Sequence, residues 1–252
     1  MQAGFHDAML EFELSLDMSL INNTLKEVTV YTNDDISEVL NNPRFKGHSR
    51  LLVRNADVED FFFEKNVGVI EKDNCATTGK VKDCMVPVRG GFVEIHAPIV
   101  YFIEMNVPYA FVGDDDGIRG FVAESDLLKP AVRILAFTLA THLEWFLRRA
   151  IEVHVTDERT LQKFISGRNM SRYRDDKRRN TERPLTEYTE LYGEIEALKE
   201  VRFFSQEDAE ELHTIRDMRN GLGHGYSDIQ DFIPRLHTTI KWLEQLANIL
   251  GY

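Results

Sequence analysis

Three side chains near the C-terminal end of the chain have the types and spacing needed for acid–base chemistry on a phosphate. Arg219 and His224 are separated by four residues, and Tyr226 follows one residue after the histidine. Histidine transfers protons near neutral pH, and arginine stays charged and offers forked donors to phosphate oxygens. RNA carries its own nucleophile, the 2′-hydroxyl, so its cleavage needs a base, an acid and a cation but no metal. Because the motif supplies one histidine per chain, we expect a symmetric dimer to complete the site and to leave 2′,3′-cyclic phosphate ends.

Two other polar residues are predicted to support this pair. Asn220 directly follows Arg219 and is suited to orienting it or to binding phosphate. Glu144, in the first helix of the C-terminal half, is expected to face the motif and to pair with Arg219. Two alternatives stay open. One is that Glu144 is an ordinary exposed acid. The other is that residues 219–225 only form a glycine-rich helix end, whose cationic side chains satisfy the terminal carbonyls of the helix.

The C-terminal half, from Pro130 onward, has a helical period. Apolar residues recur every three or four positions and predict a first helix that ends near His154, followed by three more. Ser205 and Asp208 have the spacing of a capping box and predict the start of the third helix. The apolar positions of the four helices include Leu135, Leu139, Leu143, Phe146, Leu191, Ile195, Leu198, Leu212, Ile215, Met218, Leu236, Ile240 and Leu243. Short links between the helices predict an antiparallel bundle with one long polar insertion.

The insertion, residues 167–184, is basic in a chain that is acidic overall. It contains seven basic and three acidic residues. Beside a nuclease site, such a loop would follow an RNA backbone. The predicted RNA contacts are Arg172, Arg174, Lys177, Arg178 and Arg179. The alternative is a solvated loop that binds nothing.

The pattern of Arg219, His224 and Tyr226 resembles the R-x4-H-x-Y motif of HEPN (higher eukaryotes and prokaryotes nucleotide-binding) toxins. The resemblance covers about residues 130–252 and implies a four-helix bundle with the motif at the end of its third helix. It also implies an endoribonuclease that acts as a homodimer in a toxin–antitoxin setting, with an antitoxin or a nucleotidyltransferase as partner. In such toxins AMP transfer to the tyrosine blocks activity, which implies the same modification of Tyr226. The alternative for Tyr226 is a ring that only packs against the fourth helix.

The N-terminal half contains a second candidate site at Asp126. Residues 91–128 have the pattern strand, helix, strand, strand, helix. Residues 120–126, Gly-Phe-Val-Ala-Glu-Ser-Asp, resemble the ligand-binding signature of CBS (cystathionine β-synthase) motifs, and this resemblance covers residues 80–129. It implies an adenine nucleotide whose ribose hydroxyls bind Asp126, although Ala123 stands where a hydroxyl residue would help to hold phosphate. The alternative is that Asp126 only stabilises the start of a helix.

Composition limits the remaining classes of protein. The net charge of -12 argues against a protein that coats nucleic acid by bulk attraction. The apolar stretches are too short to cross a bilayer, and the acidic N-terminus is unlike a signal peptide, so a cytoplasmic protein is expected. Cys75 and Cys84 are expected to be ordinary buried or half-buried thiols, and the sequence has no H-E-x-x-H cluster that would predict a metal site.

These features predict an α+β chain of two domains. Residues 1–129 would form a CBS-like α/β region whose first motif, over about residues 24–71, is degenerate. Residues 130–252 would form an all-α HEPN-like bundle. The predicted function is a metal-independent endoribonuclease that needs no cofactor for catalysis and is regulated by an adenine nucleotide. An alternative of a different class is a non-catalytic dimeric nucleotide sensor or a module that binds RNA or protein.

Overall fold

The computed structural model describes residues 3–24, 29–31, 33–46, 50–54, 68–87, 91–114, 117–222 and 229–252. The chain is a mixed α and β protein and divides into two compact units. The α/β unit is Leu10–Val132, and the helical unit combines Met1–Met9 with Arg133–Tyr252. Helix α1 (Ala3–Ser15) contributes residues to both units.

The α/β unit contains two four-stranded sheets. Its strands are β1 (Asn23–Thr24), β2 (Thr29–Tyr31), β3 (Arg50–Arg54), β4 (Gly68–Glu71), β5 (Val86–Pro87), β6 (Gly91–Glu94), β7 (Tyr109–Asp114) and β8 (Gly117–Ala123). Its further α-helices are α2 (Ile36–Asn41), α3 (Val81–Cys84) and α4 (Ile99–Met105). The strand orders are β1-β8-β7-β6 and β2-β3-β4-β5.

The two sheets are built from the same succession of elements. In each, a strand leads through a short helix to a parallel strand, and the next strand pairs antiparallel with that one. The succession is β2-α2-β3-β4 in one sheet and β6-α4-β7-β8 in the other. The strand, helix, strand, strand order predicted from residue 91 onward is therefore confirmed, and an equivalent unit precedes it. The β2-α2-β3-β4 part packs around a core of Val30, Ile36, Val39, Phe45, Leu51, Val53, Ile70 and Val81.

In the described part of the helical unit, six α-helices follow α1. They are α5 (Pro130–His154), α6 (Glu158–Gln162), α7 (Gly167–Arg178), α8 (Leu191–Glu200), α9 (Gln206–Leu222) and α10 (Ile229–Leu250). The predicted apolar positions are buried, from Leu135 and Leu143 on α5 to Leu236 on α10. Helix α9 packs against both α8 and α10. None of the helices in the described ranges has an apolar stretch long enough to cross a bilayer.

The structure confirms the predicted start of α9 but not the predicted loop over the basic insertion. The capping box is confirmed, because the Ser205 amide donates to Asp208 at 2.9 Å and the Asp208 amide donates to the Ser205 hydroxyl at 3.1 Å. The prediction of a loop over residues 167–184 is wrong, because most of it is helix α7. Ser166 caps the start of α7, and Asn180, with φ 53°, ends the helix in the left-handed region.

Candidate functional site

Arg219, the first residue of the predicted catalytic motif, lies in the last turn of α9. Its side chain is 28% exposed, so its guanidinium is partly shielded from water. Asn220 follows it and is exposed. His224 and Tyr226 lie outside the described residues, so their predicted roles stay predictions.

Glu144 on α5 is buried and lies against Arg219. Its Oε2 atom is 2.9 Å from a terminal guanidinium nitrogen of Arg219. The two groups form a close ion pair, although their orientation does not meet hydrogen-bond geometry and leaves this oxygen without a hydrogen bond. The same guanidinium lies over the ring of Phe137, 5.8 Å from its centroid. The pairing of Glu144 with Arg219 is the contact that the sequence predicted.

A second arginine, Arg148, continues the cluster away from Arg219. It lies one turn after Glu144 on α5 and donates to it at 2.5 Å, and its Nε donates to Glu194 on α8 at 2.8 Å. Glu194 is fully buried, and the Thr189 hydroxyl donates to it at 3.0 Å. We call Glu144, Arg148, Glu194 and Arg219 the arginine–glutamate cluster. It joins three helices of the bundle at the point where the predicted motif begins.

The electrostatics of the cluster are governed by its burial. Desolvation raises the pKa of Glu194 to about 7, because the attraction of Arg148 only partly offsets that effect and the nearby Glu144 adds repulsion. Burial would lower the pKa of Arg148, but Glu194 and Glu144 outweigh burial and raise it. One oxygen of each glutamate is buried without a hydrogen bond. Each glutamate therefore combines a close arginine with one oxygen that lacks a hydrogen bond, and apolar residues of similar volume can often replace such buried pairs without loss of stability.

Sequence reasoning missed Arg148 and Glu194. Arg148 had a usable signal, because it stands four residues after Glu144 and helical residues at that spacing share a face. Glu194 also had a signal, because it stands three residues after Leu191 and four before Leu198 and so shares their apolar face of the helix.

His213, a histidine of α9, is engaged with residues of α8. Its Nε2 lies 2.9 Å from Glu196, and its ring stacks on Tyr192 with centroids 5.1 Å apart. It is therefore held as a structural residue on the face between α9 and α8.

The predicted RNA contacts lie on α7 or directly after it. Arg172, Arg174, Arg178 and Arg179 are exposed. Lys177 is also exposed, but its Nζ lies over the ring of Tyr173, 5.6 Å from the centroid. The structure thus divides the predicted residues between two faces of the helix.

Asp126, the predicted nucleotide ligand, is buried in the α/β unit within the 3-10 helix Glu124–Leu128. Its Oδ2 accepts from the Ala123 amide at 2.7 Å and from the Asn23 side-chain amide at 2.8 Å. Its Oδ1 lies 3.1 Å from Lys129. The helix-stabilising role of Asp126 is therefore present, and any ligand must compete with these contacts.

Glycine is required at position 120 of the same segment for a structural reason. A Cβ atom there would overlap the side chain of Asn22 and the carbonyl oxygen of Asn23, because β1 pairs closely with β8.

Across the described part of the chain, no group of three or more His, Cys, Asp or Glu side chains is arranged to hold a metal ion.

The chain was compared with known families, curated proteins and solved structures. No protein-family model and no curated protein matches this chain. The CBS domain of a bacterial CNNM/CorC family Mg²⁺ transporter, solved in complex with ATP, is 18% identical with a TM-score of 0.36, over 52% of this chain and 98% of that chain. A CBS-containing hemolysin-like protein from Oenococcus oeni PSU is 19% identical with a TM-score of 0.35, over 46% of this chain and 91% of that chain. The similarity is to CBS domains, the class that residues 80–129 resemble, and it does not bear on the HEPN-like prediction.

Proposed function

We propose that this chain is a metal-independent endoribonuclease of the HEPN type that acts as a homodimer. The observation that supports this function best is the arginine–glutamate cluster, which holds Arg219 at the C-terminal end of α9. The buried carboxylate of Glu144, 2.9 Å away, keeps the guanidinium of Arg219 near one place before a phosphate arrives, although no hydrogen bond fixes its orientation. A guanidinium has five N–H donors, so Arg219 has enough of them to bind two phosphate oxygens as well as Glu144.

The reaction follows from the residues of the motif. One His224 takes the proton of the RNA 2′-hydroxyl, and the 2′-oxygen forms a bond to phosphorus. The bond from phosphorus to the 5′-oxygen breaks, and His224 of the second copy gives that oxygen a proton. Arg219 stabilises the negative charge on the phosphorane. The products are a 2′,3′-cyclic phosphate and a 5′-hydroxyl, and DNA resists because it has no 2′-hydroxyl.

The test uses purified full-length protein and mixed RNA in the presence of a chelator. We expect wild-type protein to cleave, and His224→Ala and Arg219→Gln each to lower the rate by about 10²- to 10⁴-fold. His213→Ala is the matched control, since it removes a histidine of α9 that is engaged with Glu196. Equal cleavage by the wild-type and His224→Ala proteins would rule out this site. RNA binding without cleavage in a wild-type dimer would favour the non-catalytic sensor.

The proposal includes regulation by an adenine nucleotide bound in the CBS-like region. Its support is the doubled strand, helix, strand, strand unit and the acid at position 126. Because Asp126 already binds Asn23 and Lys129, a ribose would have to displace at least one of them. Binding would then change the contact between β1 and the segment after β8, which gives the ligand a structural effect.

The proposed partners are an antitoxin or a nucleotidyltransferase that transfers AMP to Tyr226. Because Tyr226 is two residues from His224, an attached nucleotide would place bulk and negative charge beside the cationic site and repel RNA. Mass spectrometry of protein from its native cell should show the AMP adduct on Tyr226. Tyr226→Phe should escape the block, whereas unmodified Tyr226 in inactive native protein would contradict this mechanism.

A further inference from the structure

Helix α7 has an arginine face that sequence order alone does not reveal. At about 100° per residue, Arg168, Arg172, Arg174, Arg178 and Arg179 fall within one side of the helix. All five are exposed, and the side chains of Arg172 and Arg178 are 68% and 77% exposed. We call these five residues the arginine face.

The opposite side of α7 attaches it to the bundle. Tyr173 packs edge-on against Tyr188 with centroids 5.3 Å apart, and the Tyr188 hydroxyl donates to Asp176 at 2.8 Å. Asn169 donates to Glu190 at 3.1 Å. Lys177 lies on this side over Tyr173. The attachment fixes which side of α7 faces solvent.

The arginine face carries positive charge that the protein itself does not neutralise. Asp175 lies within the face and pairs with Arg178, and Asp176 beside the face is turned toward Tyr188 with Arg172 at 4.0 Å. Arg168, Arg174 and Arg179 have no ion pair with the described residues. Arginines at spacing i, i+4 repel each other and weaken the helix. With a net charge of -12, solubility does not require them.

We propose that the arginine face is a docking ridge for the phosphate backbone of single-stranded RNA, formed by Arg168 and the four arginines at 172, 174, 178 and 179, with Lys177 excluded. The proposal rests on the proposed function for its choice of RNA as the polyanion. Arg168 and Arg178 are about 15 Å apart along the helix axis, at about 1.5 Å per residue, so several phosphates are within reach. Guanidinium forks suit phosphate oxygens better than ammonium groups do.

An anionic membrane is the less suitable partner. A helix that lies on a membrane inserts an apolar face, and the arginine face has none. The apolar residues of α7, Met170 and Tyr173, are only partly exposed, and Tyr173 packs on Tyr188. The ridge is therefore suited to a polyanion that needs no apolar contact.

The experiment measures binding of a short labelled single-stranded RNA as a function of salt. All proteins carry His224→Ala, so that RNA is not consumed. The ridge variant is Arg168→Gln, Arg174→Gln and Arg178→Gln together. The matched control removes the same charge from exposed residues of the same unit outside α7, as Arg159→Gln, Lys163→Gln and Lys241→Gln. Circular dichroism checks that both variants keep their helices.

Losing three phosphate contacts should reduce the slope of log K against log salt by about 2 and lower affinity by about 100-fold at 0.1 M salt. The control should stay within about threefold of the parent. As a finer test, Arg174→Gln should weaken binding more than Lys177→Gln, which removes one charge from the other side of the same helix.

Three results would overturn the ridge. The first is an equal loss of RNA affinity in the ridge variant and the control. The second is that the parent protein does not bind RNA. The third is that vesicles of phosphatidylcholine and phosphatidylserine compete with RNA for the same arginines. The first would show bulk charge only, and the third a membrane surface. The ribonuclease can fail separately, because wild-type protein that binds RNA through the ridge but never cleaves it would remove the catalytic proposal and leave the ridge.

Discussion

Asp126 and Glu144 are both buried carboxylates that the sequence singled out, but their surroundings differ. Asp126 has hydrogen bonds to the Ala123 amide and the Asn23 side chain and a close lysine, so both of its oxygens have partners. Glu144 has one oxygen bonded to Arg148, while the other lies near Arg219 without hydrogen-bond geometry. The first carboxylate is satisfied by its own fold, and the second is not.

The contacts of Asp126 are explained by its role in the fold, whereas those of Glu144 are not. Capping and strand attachment account for Asp126 completely, so a nucleotide role there needs independent support. In the arginine–glutamate cluster, two buried glutamates each keep an oxygen without a hydrogen bond. Apolar residues of similar volume would fill that space at least as favourably. Positioning Arg219 for a phosphate gives the cluster a reason to be there.

The largest effect is expected from breaking the cluster at Arg148. Arg148→Met keeps an unbranched side chain but leaves the buried Glu194 without its cation, so the free energy of unfolding should fall by about 3–5 kcal/mol at pH 8. Lys163→Met is the control, because Lys163 and Glu200 form an exposed pair and such pairs contribute about 1 kcal/mol or less. Urea unfolding followed by circular dichroism measures both. Similar losses in the two variants would mean that Arg148 acts by packing alone.

The contrast can be sharpened at Asp126. Asp126→Ala removes the acceptor of the Ala123 amide and one of the partners of Asn23 and of Lys129, and should lower the free energy of unfolding by about 2–3 kcal/mol. Glu124→Ala changes an exposed acid of the same 3-10 helix and should have little effect.

The same variants test the nucleotide. ATP at one hundred times its dissociation constant should stabilise the wild-type protein by about 2.7 kcal/mol, measured as a rise in Tm, and Asp126→Ala should lose most of that rise. If no adenine nucleotide shifts the Tm of the wild type, Asp126 is a structural residue only.

The sequence predicted the elements that have a strong period. Leu135, Leu139 and Leu143 marked α5, and the strand, helix, strand, strand order was visible from residue 91 because β-rich runs alternate with short apolar helices. Helix α7 was missed since it has no buried residue to create a period, and local capping and charge pairs hold it instead.

The candidate site was predictable only in part. Glu144 could be matched to Arg219 because both lie on strongly periodic helices whose inner faces are evident. The spacing of Glu194 from Leu191 and Leu198 puts it on the inner face of α8, but its pairing with Arg148 could not be predicted, since that depends on how α8 meets α5. The satisfied state of Asp126 was equally hidden, because Asn23 lies 103 residues away in the sequence.

The smallest expected effect is a pH dependence that comes from Glu194. Its pKa, about 7 in the folded protein, is above the usual value of a glutamate, so the folded state holds a proton that the unfolded state has lost between about pH 4.5 and 7. This contribution to stability is fully present below about pH 4.5 and is lost as the pH rises through 7. Glu194→Gln mimics the protonated form at every pH, so the variant should gain stability over the wild type by up to about 2 kcal/mol between pH 5 and pH 8.

Thermal unfolding at several pH values measures the difference, with Glu187→Gln, an exposed acid of the neighbouring 3-10 turn, as the control. A constant difference between Glu194→Gln and wild type across this range would show that Glu194 stays ionised, and the cluster would then resemble Asp126 as a satisfied structural network.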